Sequence, residues 1–288
     1  MKAETNLHAS SQRGVIKVVR GLATSDGGGV KLMRVIGGPA LPDLDPFLML
    51  DEFRSDDAAD YMAGFPDHPH RGFETVTYML AGRMRHGDHK GNVGLLRPGS
   101  VQWMTAGRGI VHSEMPEQED GLMWGFQLWV NLPAKDKMIE PRYQEFAPDA
   151  IPETTIGGAH VRVIAGRLGD VEGPVRAVAT EPTYLDISLP PQTSLRVPLP
   201  LGHAAFAYVF DGNVNVGPGG AARPLNRGTL AVLGEGNVVE LTTGAESGRL
   251  ILVAGRPLRE PVVKYGPFVM NTPQQIHQAI DDFNAGRF

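Results

Sequence analysis

The sequence predicts an all-β protein built from two copies of one antiparallel β-barrel unit, with a short helix at the C-terminal end. Three observations predict this. Short apolar-rich segments recur along the chain with turn residues between them. Glycine (36) and proline (23) are abundant among the 288 residues, as suits many turns, yet they show no collagen-like period. A faint internal repeat runs at an offset of about 130. In it Tyr78-Met-Leu-Ala-Gly82 matches Tyr208-Val-Phe-Asp-Gly212, and Arg97-Pro-Gly-Ser100 matches Arg227-Gly-Thr229 with a residue lost.

Taken in order, residues 14–20 and 30–36 read as opening strands, with the turn Asp26-Gly-Gly-Gly29 between them. Residues 74–80, 93–97, 100–104 and 123–130 follow. In the last, Trp124, Phe126, Leu128 and Val130 alternate with Gly125, Gln127 and Trp129, the period of a strand. Residues 144–173 hold Pro148, Pro152 and Gly157-Gly158 and read as a connector. A domain division there gives 1–145 for the first barrel and 146–288 for the second barrel plus the helix. Strands resume at 161–165, 183–188, 194–199, 205–210, 214–216, 229–233, 238–242 and 249–253. Asp211-Gly212 marks a hairpin. Thr272 is a good N-cap, Pro273 suits the first helical position, and Gln275 completes a capping box. Ile276, Ala279, Ile280 and Phe283 then form one apolar stripe.

Composition excludes several functions. The net charge is −5 and no basic block occurs, which argues against direct nucleic-acid binding. There is no cysteine, so disulfide frameworks, zinc fingers, iron–sulfur clusters and thiol nucleophiles are all absent. The opening MKAETNLHASSQRG has no apolar core of a secretory signal, and no run of about 18 apolar residues suggests a membrane span. The expectation is a cytoplasmic protein. The glycine runs 27–29 and 217–220 lack the Lys-Ser/Thr of a phosphate loop and read as turns.

The chemistry concentrates in two short stretches. His68 and His70 are separated by one residue, as are His112 and Glu114. In extended chain, residues two apart point to one face, about 7 Å apart. Two such strands facing each other would gather three imidazoles and a carboxylate around one point. That donor set suits Fe(II), Mn, Co, Ni, Cu or Zn. A metal that prefers six ligands, such as Fe(II), would keep positions open for water, O2 or substrate. Glu74 is a further acid near the first pair, and spacing alone does not choose between it and Glu114.

The surrounding residues are recognisable. Gly64…His68-x-His70-x3-Glu74-x7-Gly82 resembles the first cupin motif, and Pro98-Gly99-Ser100…His112 resembles the second. Asn131 lies too far beyond Ser113 to be that motif's terminal Asn. His68-Pro-His-Arg-Gly-Phe-Glu-Thr-Val-Thr-Tyr78, Gln102-Trp-Met-Thr-Ala-Gly-Arg-Gly-Ile-Val-His-Ser-Glu114, Phe47-Leu-Met-Leu-Asp-Glu-Phe53 and Gly286-Arg-Phe288 resemble the pirin family. The resemblance spans nearly the whole chain and is densest from 46 to 133. It implies a bicupin, two cupin-type barrels face to face, with one metal in the N-terminal barrel. The ligands it implies are His68, His70, His112 and Glu114, with Glu74 the substitute ligand or a supporting group. The repeat gives a separate check. Its offset carries His68 and His70 onto Pro198 and Pro200, and His112 and Glu114 onto Leu241 and Thr243, none of which does the same job. The C-terminal barrel is therefore expected to be metal-free.

The resemblance implies quercetin 2,3-dioxygenase activity, in which a flavonol and O2 give carbon monoxide and a depside. One divalent metal, Fe first, would bind the flavonol 3-hydroxyl as an anion. Glu114 would serve as ligand or as general base. Phe53, Trp103 and Gln127 are candidate pocket residues. The alternative is a metal- or redox-sensing regulator that binds a transcription factor or metabolic enzyme. A third option is another cupin reaction. A monomer is expected, because two barrels can cover each other's open faces. His86 and His89 read as an exposed hairpin loop. Trp103, Trp124 and Trp129 read as mostly core, with one or two at the pocket. His8, His160, His203 and His277 read as surface or structural.

Overall fold

The computed structural model describes residues 11–288; His8 and most of the opening stretch lie outside them. Strands make up 54% of the structure, and the single α-helix among the described residues spans Pro273–Asn284. The helix is capped as its sequence predicts. Thr272 Oγ1 accepts from the Gln275 amide (3.2 Å), and Gln275 Oε1 accepts from the Thr272 amide (3.1 Å). Ile276 and Ala279 are the buried part of its stripe.

Two antiparallel sheets form the first barrel. The larger runs Arg142–Phe146, Val101–Thr105, Phe73–Ala81, Met123–Asn131, Phe47–Ser55, Val30–Ile36 and Leu22–Asp26. The smaller runs Phe65–His70, Ile110–Pro116, Met84–Asp88 and Val93–Leu96. A ten-stranded sheet forms the second barrel. Alternation divides each strand between two environments. Val76, Tyr78, Val101, Trp103, Phe126 and Leu128 face the second barrel and pack with Tyr184, Phe206, Tyr208 and Ile251. The opposite face of the same strands looks into the first barrel. The interior of the second barrel is filled with aliphatic side chains, among them Val161, Leu185, Val197, Leu241 and Leu250.

Three features depart from the sequence expectations. Asp211-Gly212 does not turn the chain back. Ala204–Val216 is one long strand, bent where Gly212 takes φ +61° and the pairing with Gly248–Gly255 shifts register. An Asp-Gly pair thus serves a bulge that carries one strand from one wall to the other. Strand Val15–Arg20 pairs with Thr229–Leu233 of the second barrel rather than with the first. Residues 263–288 return to the first barrel. The Val269 amide donates to Arg71 O (3.0 Å), and buried Lys137 Nζ donates to Gly72 O (2.6 Å), Asn131 Oδ1 (2.7 Å) and Val269 O (2.9 Å). Burial pushes the Lys137 ammonium down to about 7. Periodicity specifies which face a strand buries but not which sheet it joins. We propose the domain division at 145/146, one residue before the end of Arg142–Phe146, an edge of the first sheet, and ahead of Glu153–Ile156, an edge of the second.

Candidate metal centre and its cavity

Strands Phe65–His70 and Ile110–Pro116 lie side by side, with His68 opposite His112 and His70 opposite Ile110. A register shift between His112 and Glu114 sets Glu114 opposite Phe65. One ligand atom from each of His68, His70 and His112 lies within 4.8 Å of the other two. His68 Nε2 and His70 Nε2 are 3.0 Å apart. The His68 ring centre lies 4.5 Å from that of His112, and the His70 centre 5.0 Å. His68 Nδ1 faces Pro66 O at 2.8 Å, so a proton there leaves the Nε2 lone pair free. His70 Nδ1 and both His112 nitrogens are buried without a protein partner. Burial, then the neighbouring imidazoles, hold His70 and His112 well below the usual histidine range, so both are neutral and ligand-ready at pH 7. His70 meets His68 through Nε2, so its Nδ1 points away from the trio, but the buried His112 lone pair has no donor and is costly unless a cation takes it. The three residues therefore fit a metal ion.

Glu114 stands beside this trio rather than within it. Its Oε1 faces the Thr77 hydroxyl (2.9 Å), and its Oε2 accepts from Gln127 Nε2 (3.2 Å). The Thr77 hydroxyl also faces Gln127 Oε1 at 2.6 Å, so its one proton serves either oxygen. Thr77 and Gln127 are opposite each other on adjacent strands of the large sheet.

Glu74 lies elsewhere. It shares a strand face with Val76 and Tyr78, and its Oε1 accepts from Thr105 Oγ1 (2.6 Å). Burial pushes its carboxyl up. The odd spacing between Glu74 and Thr77 puts it on the face turned from the histidines, so it is not placed to substitute as ligand. Trp103 is likewise corrected from pocket to core, packed between the barrels at 1% exposure.

A cavity of about 690 Å³ opens onto the site. His68, His70 and Glu114 line it, as do the expected Phe53 and Gln127. Sequence reasoning missed Arg34, Asp51, Phe65 and the segment Lys264, Gly266 and Pro267, and left Trp129 undecided between core and pocket. Trp129 was within reach, for it alternates in phase with Gln127. Arg34 and Asp51 reach the cavity by cross-strand register, and 264–267 by the return of the chain. The aromatic wall is close to the histidines, with the Trp129 ring 5.2 Å from that of His70; the fully buried Phe73 ring packs behind, 5.0 Å from His70 and 4.3 Å from Trp129.

His86 is not in an exposed loop. It is 3% exposed, opposite Glu114 across the strands, and bonded through Nε2 to Glu145 Oε2 (2.8 Å). A Cβ on Gly94 would fall on this pair, so glycine there makes room for it. His89 is in the turn beyond, His160 and His277 are exposed, and His203 is buried in the second barrel.

The family model described as Pirin matches residues 29–130, and that of the pirin C-terminal cupin domain matches residues 184–288. The chain belongs to the pirin family. It is 52% identical over 282 residues to a Pseudomonas aeruginosa protein provisionally named a quercetin 2,3-dioxygenase, covering 95% of this chain and 97% of that one. It is 46% identical to human pirin, covering 90% of this chain and 88% of the human protein. The crystal structure of a quercetin 2,3-dioxygenase from Acinetobacter baumannii matches with a TM-score of 0.87 at 33% identity, covering 96% of this chain and 99% of that one. A bacterial pirin of Escherichia coli, solved in complex with nickel(II), shares the fold at 19% identity (TM-score 0.64, 84% and 98% covered). The architecture is a bicupin, as in the structural neighbours, and this chain adds one short C-terminal helix among its described residues.

Proposed function

We propose that this pirin-family protein is a metal-dependent dioxygenase that opens flavonols such as quercetin with O2. The observation that carries the reading is the convergence of three imidazoles, two of them fully buried, beside a large aromatic-walled cavity. The names of the Pseudomonas and Acinetobacter relatives support it. His68, His70 and His112 would hold one divalent ion, Fe first among Mn, Co, Ni, Cu and Zn, with Glu114 as the fourth ligand. When bound, such an ion supplies the positive charge that makes the flavonol 3-hydroxyl acidic and fixes it as an anion. Glu114 would serve as that ligand or, off the ion, as the base that accepts the hydroxyl proton at the oxygen that Thr77 faces. Gln127 holds the other Glu114 oxygen and so fixes the plane of the carboxylate. Phe53, Phe65 and Trp129 exclude water and present flat apolar walls to an aromatic ligand. We place the protein in the cytoplasm as a monomer. Among the described residues no helix is long and apolar enough to cross a membrane.

The test is direct. The metal is stripped, Fe(II) is reloaded without oxygen, and quercetin and O2 are added. Loss of the flavonol absorption band together with carbon monoxide release is the expected result. No turnover with Fe(II), Mn, Co, Ni or Cu would sink the reading. It would leave a metal- or redox-sensing regulator with a protein partner as the alternative, which the 46% identity to human pirin keeps in view.

A further inference from the structure

Across the large sheet of the first barrel, Arg34, Asp51, Gln127 and Thr77 stand opposite one another on four neighbouring strands. At about 4.8 Å per strand, this polar row is ~14 Å long. One end carries Glu114 of the candidate metal centre, through Thr77 and Gln127. Two strands from Thr77, about 10 Å along the row, stands Asp51, a carboxylate only 2% exposed that lines the same cavity. Arg34 Nε donates to Asp51 Oδ1 (2.9 Å) and Arg34 Nη2 to Oδ2 (2.7 Å). Among the described residues no other donor bonds Asp51, so lone pairs on both its oxygens remain unused. Arg34 is already committed, since its Nη2 also reaches Asp26 Oδ2 at 2.7 Å. Lys264, the other cation on the cavity, is turned to Pro42 O (3.0 Å) and Asp43 (3.4 Å). Away from the candidate metal centre, the cavity wall therefore offers acceptors, Asp51 and Asp26, and its side-chain cations are occupied. A ligand with a carboxylate is poorly matched to it. A planar, uncharged aromatic with hydroxyl donors at both ends matches it well.

We propose that Asp51 is a specificity-determining residue, which accepts hydrogen bonds from hydroxyls on the ring of the substrate remote from the metal. The proposal rests on the dioxygenase reading and narrows its substrate class to flavonols hydroxylated on the outer ring. A buried charged acceptor left without its donor loses the value of a charge-assisted bond, about tenfold to a hundredfold in affinity.

The experiment is an equilibrium titration of the Fe(II)-loaded protein under nitrogen, where no O2 consumes the ligand. Quenching of tryptophan fluorescence reads binding, since Trp129 lines the cavity. Quercetin is compared with galangin, the same flavonol with an unsubstituted outer ring. The wild type is expected to bind quercetin about tenfold to a hundredfold more tightly. Asp51→Asn is expected to abolish that preference, with the galangin Kd within about twofold of the wild-type value. The wild-type comparison stands even if the variant does not fold. Equal wild-type affinity for the two flavonols would overturn the assignment of Asp51 and leave the dioxygenase reading in place, as would equal weakening of both by Asp51→Asn. Binding of neither flavonol would overturn both.

Discussion

His112 has two buried ring nitrogens and no protein partner for either. Its replacement removes a third of the tight imidazole trio. His112→Ala is expected to take metal content, measured by mass spectrometry after desalting, from about one ion per chain to nearly none. Glu114→Gln keeps the shape and the contact to Thr77 but cannot take a proton, so turnover is expected to fall by roughly 10²-fold or more. Glu74→Gln, on the other face of its strand, is expected to leave turnover within about twofold, because its partner is Thr105. If Glu74→Gln abolished metal binding and turnover while Glu114→Gln kept both, the roles of the two acids would be reversed. Gly94→Ala puts a methyl group onto His86 and Glu145. It is expected to cost about 1–3 kcal/mol and lower the melting temperature by several degrees. The histidines were legible because each pair is local in sequence and the period of a strand sends both members one way. Thr77 and Asp51 were not, because they meet the site only through the pairing of strands far apart in the chain. Trp103 was misplaced because an aromatic on a strand has two faces to choose from, and only the register with its neighbours decides.

The C-terminal helix is the element whose ends and stripe the sequence described best, since capping is written in adjacent residues. Where it docks was not written there. Arg71, 3% exposed and next to His70, forms an ion pair with Asp282 on the helix at 2.7 Å, and its guanidinium lies 4.4 Å from the centre of the Phe288 ring. Arg71, then Arg287, hold the Asp282 carboxyl down to about 2. Its folded value is below its unfolded one, so the stabilisation is complete above the ordinary carboxylate range. It is lost as pH falls from about 4 towards 2. Amide exchange in Pro273–Asn284 is expected to accelerate over that window. Asp282→Asn should weaken the attachment already at neutral pH and flatten the acid response. An unchanged acid response in that variant would mean that another carboxylate controls docking.

The two barrels are joined by more than a linker. Strand Val15–Arg20 completes the sheet of the second, and residues 263–288 close over the first. Between them Tyr78 donates to Asp186 Oδ2 (2.5 Å), which also accepts from Arg249 Nη2 (2.6 Å), within a shared aromatic core. Thermal unfolding of the whole chain is therefore expected to be one transition, with calorimetric and van't Hoff enthalpies in agreement. Residues 1–145 expressed alone are expected to lack a cooperative transition. Two separate transitions, or a folded 1–145, would contradict this. The fold class and the doubling were legible because they are properties of pattern and repeat. The exchange of chain ends was not, because an amphipathic strand fits any sheet edge with a free apolar face. The return of 263–288 also bears on how ligand preference can evolve or be engineered. Lys264, Gly266 and Pro267 share one cavity wall with positions far away in the sequence, such as Leu32 and Arg34. A mutational library confined to the half with the candidate metal centre would sample only part of that wall. Substitutions at 264–267 can retune which molecules enter without touching a candidate ligand atom, so segments more than 200 residues apart are one target.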